Sequence, residues 1–171
     1  AGAEFTLAVR YPGWCHQMQV KVNGISVSGA VKTDKGYWMI QRSWQPGDTV
    51  SCEMEMEPER VYAHPMVRAD AGCVALRRGP IIYTFEGVDN GEDLQTLRIP
   101  REAKIEALPY QADLLEGIVA LRVTGCRKKA AVNPVLYAED AAPEERVTLR
   151  AIPYYAWCNR GITHMRVWMQ E

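Results

Sequence analysis

The chain lacks the features that would place it in a membrane or on a nucleic acid. It has no apolar run near the roughly 20 residues that a membrane span needs. Its net charge is −1, with 20 basic and 21 acidic residues among 171. The longest basic run is Arg127-Lys128-Lys129, whereas a nucleic-acid-binding surface needs a denser basic patch. We therefore expect neither a membrane nor a nucleic-acid partner.

A secretory signal is also lacking. The N-terminal residues, Ala-Gly-Ala-Glu-Phe-Thr-Leu, have neither a basic region nor an apolar core. An alternating strand pattern begins almost at once, so the chain reads as a piece of a longer protein. This favours the cytoplasm over secretion but leaves the compartment of that protein unknown.

The spacing of cysteines and histidines fits neither a metal site nor a disulfide scaffold. The five cysteines lie far apart with no Cys-x-x-Cys pair, and of the three histidines only His16 adjoins a cysteine. Adjacent residues on a strand point to opposite faces, so Cys15 and His16 are not expected to share a metal. We expect reduced, buried thiols that pack as small hydrophobic residues, Cys52 and Cys73 among them.

No pattern typical of a catalytic site is present. A Gly-x-Ser-x-Gly elbow and a phosphate-binding glycine loop are both missing. Glu53, Glu55, Glu57 and Glu59 have the even spacing that puts side chains on one face of a strand. A catalytic acid needs burial to raise its pKa, whereas an open row of carboxylates is typical of a solvated face. We therefore assign no catalytic residue and no metal ligand.

What the chain does contain is alternation of apolar and polar residues with a period of two. Phe5, Leu7 and Val9 begin the pattern, and it continues almost throughout. Turn signals separate the alternating runs, and Asn23-Gly24 is the strongest hairpin signal because both residues accept a positive φ. About seven or eight strands are predicted before residue 88, at the spacing of a β-sandwich.

A polar stretch at residues 87–93 is the predicted domain boundary. Residues 101–108 have one or two helical turns as an alternative to strand, limited in length by Pro100 and Pro109, and residues 113–117 are a candidate turn of helix. The prediction is an all-β chain with at most short helical turns. It has two consecutive antiparallel, jelly-roll-like β-sandwiches, 1–88 and 89–171, which alternatively share one core. Beyond the boundary the segments predicted mostly as strands are 94–99, 104–108, 118–124, 135–137, 147–153 and 164–169.

Aromatic residues are the remaining candidates for a binding surface. Tyr37 and Trp38 are adjacent and Trp44 follows, so the three are a candidate stacking platform for a sugar ring. The alternative is that they fill the core or a domain interface, where aromatic side chains bury large areas.

Eight short segments in a fixed order carry a resemblance that spans nearly the whole chain. They are 9–15 (VRYPGWC), 20–24 (VKVNG), 36–50 (GYWMIQRSWQPGDTV), 63–65 (AHP), 74–83 (VALRRGPIIY), 113–117 (DLLEG), 152–161 (IPYYAWCNRG) and 165–168 (MRVW). The set resembles the C-terminal region of glycoside hydrolase family 127, the β-L-arabinofuranosidases and their relatives.

The resemblance implies a long parent enzyme in which a helical barrel precedes β-sandwich domains. In the family a zinc-bound cysteine of a Cys-Cys pair in the barrel is the nucleophile of a retaining reaction, and a separate Glu is the acid/base. This chain has no adjacent cysteines, so no family catalytic residue is transferred to it. The resemblance therefore implies that zinc belongs only to the parent's barrel and that this chain needs no cofactor.

The chain is accordingly interpreted as a non-catalytic β-sandwich region that packs against the catalytic barrel and supports a homodimer. His64, beside the turn that Pro65 stiffens, is predicted to contact the barrel together with that proline. The alternative is a carbohydrate-binding module that holds a glycan on exposed Trp and Tyr side chains.

Overall fold

The structure is a computed structural model that describes residues 2–27, 31–32, 35–129 and 136–171, with the backbone alone at 31–32. The chain divides into two compact units: the first ends at Met56, and the second is Glu57–Glu171. Strands dominate both units, and no helix in the described ranges is long and apolar enough to cross a membrane. The predicted all-β class is confirmed.

The first unit is built from two three-stranded sheets, with the orders β1-β5-β4 and β3-β2-β6. Apolar residues of both sheets, such as Val20 and Ile40, belong to one buried cluster between them. The alternation seen in the sequence therefore places one face of each sheet in a shared core. The strands in its described part are β1 (Ala3–Arg10), β2 (Met18–Val22), β3 (Ile25–Ser26), β4 (Val31–Lys32), β5 (Tyr37–Trp44) and β6 (Val50–Met54).

The Asn23-Gly24 hairpin forms as predicted. Val22 pairs with Ile25 across a two-residue turn, with φ of 51° at Asn23 and 79° at Gly24. The Asn23 side chain also accepts a hydrogen bond from the backbone N–H of Thr49 at 2.8 Å. This contact fixes the turn against the start of β6, which pairs with β2 along its whole length.

The second unit has a larger sheet whose pairings close on themselves. Each strand in the series β9-β13-β12-β10-β15-β8 pairs with the next, and β8 pairs back onto β9. All of these pairings are antiparallel except the single parallel contact of Arg98 with Gln170. The nine strands in its described part are β7 (Pro58–Val61), β8 (Cys73–Arg78), β9 (Ile81–Glu86), β10 (Leu97–Arg98), β11 (Ile105–Ala107), β12 (Leu121–Lys128), β13 (Glu144–Pro153), β14 (Met165–Arg166) and β15 (Met169–Gln170).

The domain division differs from the predicted one at residues 87–93. That stretch begins with the short helix α1 (Gly87–Asn90), and strands on its two sides pair with each other. Tyr83, before it, and Leu121, after it, belong to the same buried cluster. Residues 57–88 and 89–171 therefore share one core, and the compact units divide between Met56 and Glu57, a boundary that the sequence did not indicate.

Several local predictions have mixed outcomes. Strand β11 forms within 101–108, whereas 113–117 is a non-helical turn. The predicted strand at 135–137 begins outside the described residues, and Leu136 and Tyr137 are exposed and not in a strand. All five cysteines are free, and the expectation of burial fails for Cys52 and Cys158, which are exposed.

Candidate functional site

The three predicted platform residues do not form one surface. Tyr37 and Trp38 are neighbours on β5, so their side chains point to opposite faces of the sheet. Tyr37 is exposed on the outer face, where the Arg10 guanidinium lies 5.5 Å from its ring centroid. Trp38 turns inward and stacks on Tyr11, with ring centroids 5.8 Å apart.

Trp44 is a core residue. It is 8% exposed, its indole N–H donates to the backbone oxygen of Phe5 at 3.0 Å, and the Phe5 ring stacks on it at 5.5 Å. A ring covered in this way has no free face for a sugar. The coplanar platform of Tyr37, Trp38 and Trp44 is therefore absent from the described part of the first unit.

His64 and Pro65 lie in an exposed turn of the second unit. The backbone N–H of Met66 donates to His64 Nδ1 at 3.2 Å, and that of Val67 donates to the His64 carbonyl at 2.8 Å. Because Nδ1 accepts, the proton of the neutral imidazole lies on Nε2, which is then a donor toward the surroundings. Exposed apolar side chains, including Met66, flank the histidine.

Glu171 is the centre of a polar cluster beside this turn. Its carboxylate accepts from the Tyr62 hydroxyl at 2.7 Å and pairs with Arg101 at 2.6 Å and Arg60 at 3.2 Å. The hydrogen bond from Tyr62, followed by that from Arg101, holds the pKa of Glu171 below its ordinary value. Arg60 also donates to the carbonyl of Pro100 at 2.7 Å, so the cluster joins β7 to the loop after β10.

A second polar cluster holds the loop that follows β13. Glu86, at the end of β9, is 1% exposed and pairs with Arg160, which also donates to Asp89 at 3.0 Å. The other Glu86 oxygen accepts from the backbone N–H of Cys158 at 2.7 Å. The pKa of Arg160 is raised by its hydrogen bonds to Asp89 first and Glu86 second, while burial opposes this. The cluster stabilises the loop in one conformation.

An open cleft lies beside that loop. It has a volume of about 570 Å³ and is lined by Leu115, Glu116, Tyr155, Ala156 and Asn159. Neither this cleft nor the Glu86 cluster is predicted from the sequence. Both depend on pairs far apart in the chain, such as Glu86 and Arg160, and no local motif signals such a contact.

The described residues provide no metal-binding group. No set of three or more His, Cys, Asp or Glu side chains within them is arranged to hold a metal ion. The evenly spaced glutamates are also dispersed: Glu53 pairs with Lys21 at the surface, and Glu59 pairs with Arg77.

Comparison with protein families matches the two units to two domains. The model of the GH127 middle domain of β-L-arabinofuranosidases matches residues 1–56. The model of the glycoside hydrolase family 127 C-terminal domain matches residues 58–170. The chain belongs to glycoside hydrolase family 127. The two matches of this family 127 chain meet where its two structural units divide.

Individual relatives agree with the family assignment. A non-reducing end β-L-arabinofuranosidase of Bifidobacterium longum subsp. longum is 35% identical over an alignment that covers 95% of this chain and 25% of that protein. The crystal structure of a GH127 β-L-arabinofuranosidase from Geobacillus stearothermophilus T6 has 47% identity and a TM-score of 0.91, over 100% of this chain and 27% of that one. Another GH127 β-arabinofuranosidase structure has 31% identity and a TM-score of 0.83, and the match covers 99% of this chain and 28% of that one. The family 127 chain thus spans about a quarter of these relatives.

Proposed function

We propose that this chain is the non-catalytic β-sandwich part of a β-L-arabinofuranosidase-like glycoside hydrolase and that it supports a separate catalytic barrel. The agreement between the two structural units and the matched middle and C-terminal domains carries the proposal. The chain covers 25% and 27% of two relatives, so most of each relative lies outside the match. A catalytic part fits in that remainder.

The side-chain chemistry of the described residues supports this assignment. Both oxygens of the buried Glu86 carboxylate are already bound, one to Arg160 and the other to the Cys158 N–H. The exposed thiol of Cys158 lies beside no second cysteine in the sequence. We therefore propose that nucleophile, acid/base and zinc all belong to the barrel and that this chain works without a cofactor.

We also propose that the turn at His64 and Pro65 contacts the barrel. The proline restricts the backbone, and the Nδ1 hydrogen bond orients the imidazole so that Nε2 can donate to a partner. Met66 is 77% exposed beside it and adds apolar area that a partner would cover. A polar donor within an apolar surround is a common arrangement at protein interfaces.

The docking role is tested by comparing the effect of one double substitution on the isolated chain with its effect on the parent enzyme. His64→Ala combined with Met66→Ser should leave the melting temperature of the isolated chain unchanged, because both side chains are exposed. In the parent enzyme the same pair should lower the temperature of half-inactivation. Ile25→Ser is the matched control, since Ile25 is 75% exposed on the first unit. An unchanged temperature of half-inactivation in the parent enzyme would contradict the docking role. A structure of the parent in which His64 lies more than about 10 Å from the barrel would also contradict it.

A homodimer is a further prediction from the family resemblance. Sedimentation velocity of the chain over a range of concentrations measures it directly. A concentration-dependent shift toward twice the monomer mass is expected, and a monomer at every concentration would count against self-association through this region.

A carbohydrate-binding module built on Tyr37, Trp38 and Trp44 has less support. Trp44 is covered, and the two neighbouring rings face opposite sides of the sheet. Of the three, Tyr37 alone presents an exposed ring on the outer face.

A further inference from the structure

The cleft beside Tyr155 has a wall that the chain forms at an energetic cost. Gln111 and Ile118 pair as a narrow hairpin, and its tip has three consecutive residues with positive φ: 51° at Leu115, 61° at Glu116 and 103° at Gly117. Left-handed backbone is sterically unfavourable for a non-glycine residue. Such strain persists only where the surroundings impose it, and it is concentrated at functional sites.

Packing imposes this conformation on the tip. The Tyr110 ring lies across Gly117, and a Cβ placed on that glycine would come within 1.8 Å of the tyrosine oxygen. On the inner side Leu115 packs against a buried cluster that includes Ile118 and Ile152. The tip is therefore held from both sides, and the carboxylate of Glu116 stands at the rim of the cleft in an exposed position.

The opposite wall is fixed by the Glu86 cluster. Cys158 has a φ of 65°, and its N–H is bound by the buried Glu86 carboxylate at 2.7 Å. The next two residues are also tied down: Asn159 donates to the carbonyl of Ala156 at 3.2 Å, and Arg160 pairs with Glu86 and Asp89. Both walls are thus held by contacts within the chain itself, which reduces the conformational entropy that binding has to overcome.

The lining has the chemistry of a sugar site. The Tyr155 side chain is 64% exposed and provides an aromatic ring for the C–H face of a sugar. The Glu116 carboxylate and the Asn159 amide oxygen are acceptors for hydroxyl groups. Glu116 makes no ion pair among the described residues, and the cleft lining contains no cationic side chain, so a phosphate or another anion would be disfavoured. The volume of about 570 Å³ accommodates one or two sugar rings.

We propose that the Tyr155 cleft binds a neutral sugar ring, stacked on Tyr155 with its hydroxyl groups donating to Glu116 and Asn159. The terminal L-arabinofuranosyl residue of a glycan is the assigned ligand. The choice of this pentose rests on the proposed family 127 function, whereas the sugar site itself rests on the cleft. A site of this kind would hold a glycan on the enzyme without taking part in bond cleavage.

A titration of the ¹⁵N-labelled chain with methyl β-L-arabinofuranoside tests the proposal. Amide shifts are expected at Glu116, Gly117 and Asn159, with affinity in the millimolar range because one exposed ring and few polar groups are involved. Tyr155→Ala should weaken binding at least tenfold, whereas Tyr155→Phe should retain it because stacking needs the ring and not the hydroxyl. Amides outside the cleft should be unchanged in both variants, which shows that the fold is kept.

Tyr37→Ala is the matched control, since it removes another exposed tyrosine ring and should leave binding intact. Absence of shifts at the cleft, or equal shifts in Tyr155→Ala, would overturn the sugar site. Equal affinity for a methyl hexopyranoside would overturn the assignment to a pentofuranose. Loss of binding in the intact parent would show that protein fills the cleft, and it would also overturn the proposal. The results on the isolated chain say nothing about support of the barrel, which the His64 comparison measures separately.

Discussion

Glu86 is a buried carboxylate that the second unit keeps fully paired. One oxygen accepts from the Cys158 N–H at 2.7 Å and the other pairs with Arg160. Glu86→Gln keeps the shape of the side chain but removes its charge, so Arg160 is left with Asp89 alone. Because Arg160 keeps Asp89 as a partner, we expect the free energy of unfolding of this unit to fall by about 1.5–3 kcal/mol, the range for losing a hydrogen bond to a charged group. Urea denaturation measures the loss.

A surface carboxylate provides the control for that substitution. Glu53 pairs with Lys21 at 2.8 Å, but its side chain is mostly exposed. Exposed pairs contribute between about 0 and 1 kcal/mol, so Glu53→Gln should change stability little. If both variants lost the same amount, or if Glu86→Gln lost nothing, burial of the pair would not be the source of the stabilisation.

Glu171 makes the stability of the second unit depend on acidity. Its pKa is lowered from the ordinary value of 4.5, by the Tyr62 hydrogen bond first and then by Arg101. Because the pKa is lower in the folded state, the ionised carboxylate stabilises the fold at pH values above the pKa of the unfolded state. This contribution is lost as the pH falls through the pKa of the folded state. Glu171→Gln should therefore flatten the decline in stability below about pH 4.5. The free energy of unfolding is measured against pH by urea denaturation. Parallel profiles for the unsubstituted chain and Glu171→Gln would contradict a role of Glu171 in this pH dependence.

At the scale of single elements, the hairpin tip at 114–117 is held in a left-handed conformation by packing on both sides. Gly117→Ala places a Cβ against the Tyr110 hydroxyl and requires a side chain at a φ of 103°. We expect a loss of at least about 1 kcal/mol in unfolding free energy, from the backbone conformation alone. Gly13→Ala is the control because a Cβ there meets nothing within 4 Å. Equal melting temperatures for the two variants would show that the tip relaxes without cost.

Local chemistry explains which turns could be predicted. Asn23 and Gly24 form their hairpin because both residue types tolerate a positive φ, and the two flanking strands alternate clearly. Leu115 and Glu116 have no such intrinsic preference. Their left-handed conformation is imposed by Tyr110 and by the buried cluster behind Leu115, which become neighbours only in the folded chain. Sequence spacing indicated a turn of helix at this position for that reason.

The same distinction applies to the candidate binding residues. Trp44 was a reasonable platform candidate from composition, but its register opposite Ala3 on β1 places the ring in the core. Tyr155 gave no separate signal, because its role depends on a wall formed about forty residues earlier in the chain. Alternation predicts which face of a strand is buried. It does not predict which loops meet beside the sheet.

At the scale of the molecule, the division into units makes a prediction about fragments. Residues 57–171 contain every strand of the closed sheet, whereas 89–171 lack β8 and β9, which supply Val74, Leu76, Tyr83 and Phe85 to the core. The longer fragment should fold alone with a cooperative transition. The shorter one should show no cooperative unfolding and a near-featureless near-ultraviolet circular dichroism spectrum. A cooperative fold for 89–171 would restore the boundary near residue 88.

We propose that this family 127 chain supports catalysis without performing it. Turnover of an aryl β-L-arabinofuranoside by the purified 171-residue chain tests that claim most directly, with the Geobacillus stearothermophilus T6 β-L-arabinofuranosidase as the positive control. We predict no release of the aryl group above the buffer rate, with or without added zinc. Release that scales with the concentration of the chain, and persists through further purification, would contradict the account.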